Sequence, residues 1–189
     1  MKIGVLALQG AFREHLKMLK DCGEEGREIR LPDELDGMDG LIIPGGESTT
    51  ITKLMLEYGF PEKIKSFAAS GRPIFGTCAG LIVLADRIGG QRQELLNLID
   101  IDVLRNAYGR QIFSREVDIP VPFLGAEPFR AVFIRAPVIV QAGKGVDALA
   151  GYQDRIVVAR QGNILVSAFH PELTGDLRMH NYFLKMSGK

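Results

Sequence analysis

Cysteine is scarce in this chain: only Cys22 and Cys78 occur among 189 residues. Two cysteines cannot build a disulfide framework, and no C-x-x-C pair is present. Nor is there a Cys/His cluster of the kind that holds a structural or catalytic metal. An excess of either charge is also lacking, since Lys+Arg and Asp+Glu both number 23 and the formal net charge is zero. That balance gives no reason to expect a nucleic-acid or anionic membrane partner. No apolar run approaches the roughly 20 residues that span a bilayer. The first eight residues carry one basic side chain and a short apolar stretch, then run into Gln9-Gly10 and an amphipathic segment. This is a first strand rather than a signal peptide, so the expected compartment is the reducing cytoplasm, where a free thiol persists. With 46% hydrophobic and 24% charged residues, and no repeat, linker or low-complexity tract, residues 1–189 read as one domain with its own core.

The first half alternates two periodicities. Residues 2–8 form a buried strand. In 11–22, Phe12, Leu16, Leu19 and Cys22 recur at helical spacing, with Arg13, Glu14, Lys17 and Lys20 opposite. Strands follow at 27–31 and 40–43, then a helix from Ser48 or Thr49, either of which can cap it, to about Tyr58. A further helix covers 61–70, and Pro73 opens a strand. Strand–helix alternation predicts an α/β fold, a mostly parallel central sheet with helices on both faces. The second half is different. Segments 99–104, 113–118, 129–134, 137–141, 155–160 and 163–168 are short and β-branched, which predicts antiparallel additions, and a helix over 175–186 closes the chain.

The chemistry centres on Gly76-Thr77-Cys78-Ala79-Gly80, between the apolar stretches Pro73-Ile74-Phe75 and Leu81-Ile82-Val83-Leu84-Ala85. The pattern predicts a strand, a sharp turn and a helix, with the cysteine at the apex and the helix N–H groups favouring its thiolate. The flanking glycines suit a crowded turn, as in the nucleophile elbow. Taken alone, a cysteine between glycines is more often a small packing residue.

A thiolate nucleophile needs a proton carrier and a group that aims it. Of the three histidines, His15 and His180 read as solvated helix positions. His170 differs, because it follows the apolar strand Ile164–Phe169 at its carboxyl end, where ligands bind in α/β sheets. Glu172 stands two residues on, on the same side of an extended segment held by Pro171. It can fix the imidazole's tautomer as the third member of a triad. Pro44-Gly45-Gly46-Glu47-Ser48 follows another strand at the same edge, but no GK[ST] makes it a phosphate loop. Its glycines let a backbone N–H at Gly46 join that of Ala79 as donors to an oxyanion.

In order and spacing, these three motifs resemble those of class I, triad-type glutamine amidotransferases. The resemblance covers nearly the whole chain. It is strongest to the branch of glutaminases that serve a pyridoxal 5′-phosphate synthase, through Gly4–Gly10, Pro44–Thr50, Arg105–Gln111, Phe133–Pro137 and Phe169–Thr174. The stretch from Gly89 to Asn97 departs from that pattern. The resemblance implies a flavodoxin-like fold and hydrolysis of L-glutamine to glutamate and ammonia, without metal or organic cofactor. Ammonia would pass to a synthase partner in a large hetero-oligomer. It implies Cys78 as nucleophile, with His170 and Glu172 completing the triad. Gly46, Glu47, Ser48, Arg105, Ile134 and Arg135 match glutamine-binding positions, although Glu47 and Arg105 fit equally as structural ion-pair members. Poor activity without the partner would follow if the Gly45–Gly46 peptide presented its carbonyl inward until docking, with Gln9 sensing the partner. Two other readings are a stand-alone cysteine hydrolase of γ-glutamyl substrates and a non-catalytic regulatory subunit. The latter would be favoured by a missing triad residue, and none is missing.

Overall fold

A computed structural model describes residues 1–93, 95–105 and 114–188; residues 106–111 of the motif above and the first residue of segment 113–118 lie outside the described residues. The chain runs β1 (Lys2–Leu6), α1 (Phe12–Asp21), β2 (Glu25–Ile29), β3 (Gly40–Ile43), α2 (Ser48–Glu57), α3 (Phe60–Ala69), β4 (Ile74–Thr77) and α4 (Ala79–Leu84). It continues through β5 (Ala85–Ile88), β6 (Gln91–Arg92), β7 (Ile99–Leu104), β8 (Ser114–Ile119), β9 (Phe129–Ile134) and β10 (Val138–Ala142). The last elements are β11 (Asp147–Tyr152), β12 (Arg155–Gln161), β13 (Ile164–Ser167) and α5 (Arg178–Lys185).

Strands β2, β1, β3, β4 and β13 lie side by side in that order, all parallel. Beyond β13 the sheet continues antiparallel through β12, β10 and β7, with β11 beside β12; β5 then lies parallel to β7 and carries β6. Strands β8 and β9 pair separately. Every residue of β3, β4 and β13 is buried, as expected where helices cover both faces of a parallel sheet. Each large apolar side chain so buried contributes about 1.5–3 kcal/mol over an exposed one.

Strand alternation sorts the two faces. The Phe75 ring lies 6.3 Å from that of His15 on α1, and 6.1 and 5.7 Å from His180 and Phe183 on α5. Gly76, pointing the other way, meets Leu84 and Gly80 of α4. No helix among the described residues is long and apolar enough to cross a membrane.

Several boundaries differ from expectation. Strand β2 lies two residues early because Glu25 to Ile29 pair with Lys2 to Leu6, while Leu31 is exposed and leads into a 3₁₀ turn at Pro32–Leu35. The apolar run after Cys78 leaves the helix at Leu84 and continues directly as β5, so β5 and β6 were not anticipated, and neither was β11. Helix α5 starts at Arg178 because Pro171–Leu173 forms a 3₁₀ turn and the Asp176 carboxylate accepts from the Arg178 N–H at 3.0 Å. Helix α2 is capped by neither Ser48 nor Thr49. The Glu47 carboxylate caps it, accepting from the N–H and hydroxyl groups of both Thr49 and Thr50. One carboxylate with four donors outcompetes a hydroxyl that takes one or two.

Candidate active site

Parallel register brings the expected residues to one rim. Ile43 of β3 pairs with Gly76 of β4, and Thr77 of β4 with Ser167 of β13. The three strands therefore end level, and the residues just beyond them, Pro44-Gly45-Gly46, Cys78 and His170, share the carboxyl edge of the sheet.

Cys78 takes a backbone conformation that L-residues avoid, φ 49° and ψ −101°. This strain is the cost of reversing from strand to helix within one residue. Two features hold it. The Cys78 N–H donates to the Ser167 carbonyl at 2.8 Å. Gly80 lets α4 press onto β3, since a Cβ there would collide with the Ile43 carbonyl oxygen, with its carbon only 2.9 Å away. The thiol reaches the Ile134 carbonyl at 3.8 Å and faces the His170 side chain closely enough to act on its pKa.

The other ring nitrogen of His170, Nδ1, lies 2.7 Å from Glu172 Oε1, which leaves Nε2 for the sulfur. The His170 N–H donates to the Val132 carbonyl at 2.8 Å, tying this segment to β9. Burial alone would lower the imidazole pKa. Hydrogen bonds to Cys78 and Glu172, and the charges of both, more than offset it and raise the pKa to about 10. Burial likewise pushes the Glu172 carboxyl up, but the His15 ring and the bond and charge of His170 outweigh it and leave the carboxyl below its ordinary value.

His15 and His180 are not solvated, contrary to the sequence reading: both are 0% exposed. His15 Nδ1 lies 2.9 Å from His180 Nε2. Its Nε2 lies 3.1 Å from Thr77 Oγ1 and 3.4 Å from Glu172 Oε2. The signal was present. His15 stands three residues after Phe12 and four before Leu19, on the apolar stripe of α1, and His180 stands three before Phe183. Burial, the first cause, lowers both pKa values, that of His180 to about 3.

These shifts fix a pH dependence of stability. The raised His170 pKa contributes stability in full below the ordinary 6.5, lost as pH rises through about 10. The lowered values of His15 and His180 work oppositely, because below pH 6.5 the unfolded chain binds protons the folded one refuses. The Glu172 contribution is lost at still lower pH, as the carboxylate protonates. The melting temperature should therefore peak near pH 6.5 and fall on both sides. Thermal unfolding followed across pH 5 to 9.5 checks this, and a midpoint that climbs steadily into alkali contradicts it.

A cavity of about 360 Å³ opens beside the sulfur, lined by Cys78, Ala79, His170, Ile134 and the Gln9–Ala11 and Gly45–Ser48 segments, with Arg105 and Arg135 also on its wall. All the sequence-derived site residues except Glu172 line it; Glu172 is buried behind His170. Gly45 has both backbone groups engaged: its N–H donates to Thr77 Oγ1 at 3.0 Å and its carbonyl accepts from the Ala11 N–H at 2.9 Å. In a planar trans peptide the Gly46 N–H then points away from Ala11. Gln9 Oε1 accepts from the Glu47 N–H at 2.7 Å, pinning the loop to the end of β1. The Glu47 carboxylate is committed to its cap, with Thr49 and Thr50 hydroxyls and then their N–H groups lowering its pKa to about 2. Neither Arg105 nor Arg135 has an ion-pair partner among the described residues. Arg135 sits at φ 45°, outside the ordinary range.

A doubly covered α/β sheet with thiol, imidazole and carboxylate at its carboxyl edge has the arrangement of a triad-type cysteine enzyme, the class that includes the triad amidotransferases. The comparisons agree. The family model described as "SNO glutamine amidotransferase family" matches residues 5–189, and the chain belongs to that family. "Pyridoxal 5′-phosphate synthase subunit PdxT" of Pelotomaculum thermopropionicum is 58% identical over 98% of this chain and 94% of its own. The protein of the same name from Moorella thermoacetica is 57% identical over the full length of both. A solved structure titled "Crystal structure of glutamine amidotransferase" superposes with a TM-score of 0.92 at 49% identity, covering 99% of each chain.

Proposed function

We propose that this chain hydrolyses L-glutamine to glutamate and ammonia and delivers the ammonia to a synthase subunit that makes pyridoxal 5′-phosphate. The observation that carries the chemistry is the Cys78–His170–Glu172 line opening onto the cavity. The full-length identity to relatives named as subunits of that synthase supports the destination.

In this reading the Cys78 thiolate attacks the side-chain amide carbon of glutamine, and the carbonyl electron pair moves onto oxygen. The N–H groups of Gly46 and Ala79 receive that oxyanion. The His170 imidazolium gives its proton to the departing amide nitrogen, so the C–N bond breaks as ammonia leaves and a γ-glutamyl thioester remains. Neutral His170 then takes a proton from water, whose oxygen attacks the thioester and releases glutamate and the thiolate. Glu172 holds the ring in the required tautomer throughout. Arg105 and Arg135, with no acidic partner among the described residues, suit the substrate's α-carboxylate. Backbone groups of Gly46 to Ser48 and the Ile134 carbonyl suit the remaining polar atoms. Turning the 45–46 peptide breaks the Gly45–Ala11 bond, so the partner can gate the oxyanion site through that bond and through Gln9.

The test is glutamate formation from L-glutamine, measured for the chain alone and mixed with the synthase subunit of a PdxT-containing relative. A partner-dependent rise supports the whole reading. Equal rates remove the gating, and no glutamate in either mixture removes the glutaminase.

A further inference from the structure

The buried cluster behind the triad is not used by the chemistry above. It draws on three separate elements: His15 from α1, His180 from α5 and Thr77 from the end of β4, next to Cys78. Nothing in a hydrophobic face calls for two imidazoles bonded through their ring nitrogens, and each buried polar atom there needs a partner.

Proton placement decides what the cluster does. If His15 carried its proton on Nδ1, that proton would go to His180 Nε2. His180 would then carry its own proton on Nδ1, which has no hydrogen-bond partner. The bare His15 Nε2 would also face Glu172 Oε2, an oxygen with no hydrogen-bond partner, at 3.4 Å. Two lone pairs would oppose each other in the interior, beside an orphaned N–H. The alternative resolves both. His180 Nε2–H donates to His15 Nδ1, and His15 Nε2–H lies between Thr77 Oγ1 at 3.1 Å and Glu172 Oε2 at 3.4 Å. His180 Nδ1 is then left a bare acceptor and the Thr77 O–H no longer points at His15, but the buried carboxylate faces an N–H in place of a lone pair, and that charged contact decides the choice.

We propose that His15 is a positioning residue for the glutaminase reaction: its Nε2–H steadies the outer oxygen of Glu172 and, through the Thr77 hydroxyl, couples the triad carboxylate to the Gly45 loop. The link to the loop is direct, because the same Thr77 oxygen accepts the Gly45 N–H at 3.0 Å. One buried hydroxyl thus joins His15, which faces the group that aims the imidazole, to the loop that carries the proposed oxyanion donor. His15 touches neither the cavity nor the sulfur, so it acts only through these two neighbours. The neutral state this requires fits the lowered pKa of both histidines.

The inference rests on the glutaminase reading, and wild type in the same assay separates the two. No glutamate from wild type, with or without synthase, overturns that reading; the variants below are informative once wild type turns over. Four full-length variants are compared: His15→Leu, His15→Gln, Thr77→Val and Thr77→Ser. Glutamine places an amide N–H near the position of Nε2–H, and serine keeps the hydroxyl. His15→Leu and Thr77→Val should lower kcat about 10- to 100-fold with KM within about twofold, the scale of losing an orienting contact behind a reacting group. His15→Gln and Thr77→Ser should recover most of it.

The pH profile adds a readout that a purely structural role would not move. The groups acting on the Glu172 carboxylate are His15, His170 and its own backbone N–H, while His15 in turn faces His170, Glu14 and His180. Without the His15 donor the carboxylate protonates more readily. The acid limb of kcat/KM should then move up by roughly one unit in His15→Leu and stay in place in His15→Gln. If His15→Leu does not fold, the Thr77 pair carries the test through kcat. Wild-type kcat in both His15→Leu and Thr77→Val overturns the inference, and so does equal impairment of the leucine and glutamine variants with an unmoved acid limb.

Discussion

Cys78→Ala will release no glutamate from L-glutamine above the uncatalysed background, a loss of about 10⁴-fold or more by analogy with removal of a hydrolase nucleophile. The chain should still fold. Alanine adopts the φ of 49° no worse than cysteine does, and the N–H bond to the Ser167 carbonyl needs no side chain. Ammonia and glutamate assays on wild type and variant, each with synthase, check the activity, and thermal unfolding checks the fold. The only other cysteine, Cys22, caps the far end of α1, is half-buried, and has its pKa raised by burial and then by Asp21 and Glu24. It offers no substitute nucleophile. Substantial turnover by Cys78→Ala would mean that the reacting group lies elsewhere.

Gly45→Ala should be nearly as damaging, although position 45 contributes no side chain to the reaction. A Cβ there would fall on Cε1 of the His170 ring, 2.8 Å from Nδ1 and 3.3 Å from the Cys78 Cβ. The ring cannot simply step aside, because Nδ1 is held by Glu172 at 2.7 Å and the His170 N–H by Val132 at 2.8 Å. The loop is equally constrained through Thr77 and Ala11. Either the imidazole or the loop must shift by about 1 Å, a displacement that costs roughly 10²-fold in rate. Overpacking adds about 1–3 kcal/mol of destabilisation. The loss should appear in kcat more than in KM, since the arginines on the cavity wall are untouched. A kcat within threefold of wild type, on the order of experimental scatter beside so large an expected loss, would show that the ring has room the structure does not reveal.

Much of this site was legible from the sequence because it depends on where strands end. Apolar runs stopping at Ile43, Phe75 and Phe169, leading into Pro44-Gly45-Gly46, Gly76-Thr77-Cys78 and His170, place those residues at one rim once the sheet is parallel. The fold class followed from the same alternation. What escaped notice has specific causes. His15 reads as solvated because its neighbours are charged, and His180 because it stands in a helix between Met179 and Asn181, although both stand at the spacing of the apolar stripe. Their burial is decided by contacts between α1, α5 and β4, which are far apart in the chain. The Glu47 cap was missed because a glutamate rarely fills that position; here four donors from consecutive threonines make it possible. Strand β2 was displaced because its residues alternate charge with little hydrophobicity, so only pairing with β1 fixes its limits. The direct passage from α4 into β5 left no turn residue to mark it.

The contact of Gly80 with the Ile43 carbonyl has an implication for how the protein tolerates change. Because one main chain rests on another at that crossing, the height of the sulfur above the sheet is gauged by backbone dimensions, not by the bulk of neighbouring core residues. Interior side chains can drift in size and shape over evolutionary time, altering thermal robustness, while the reactive atom keeps its station.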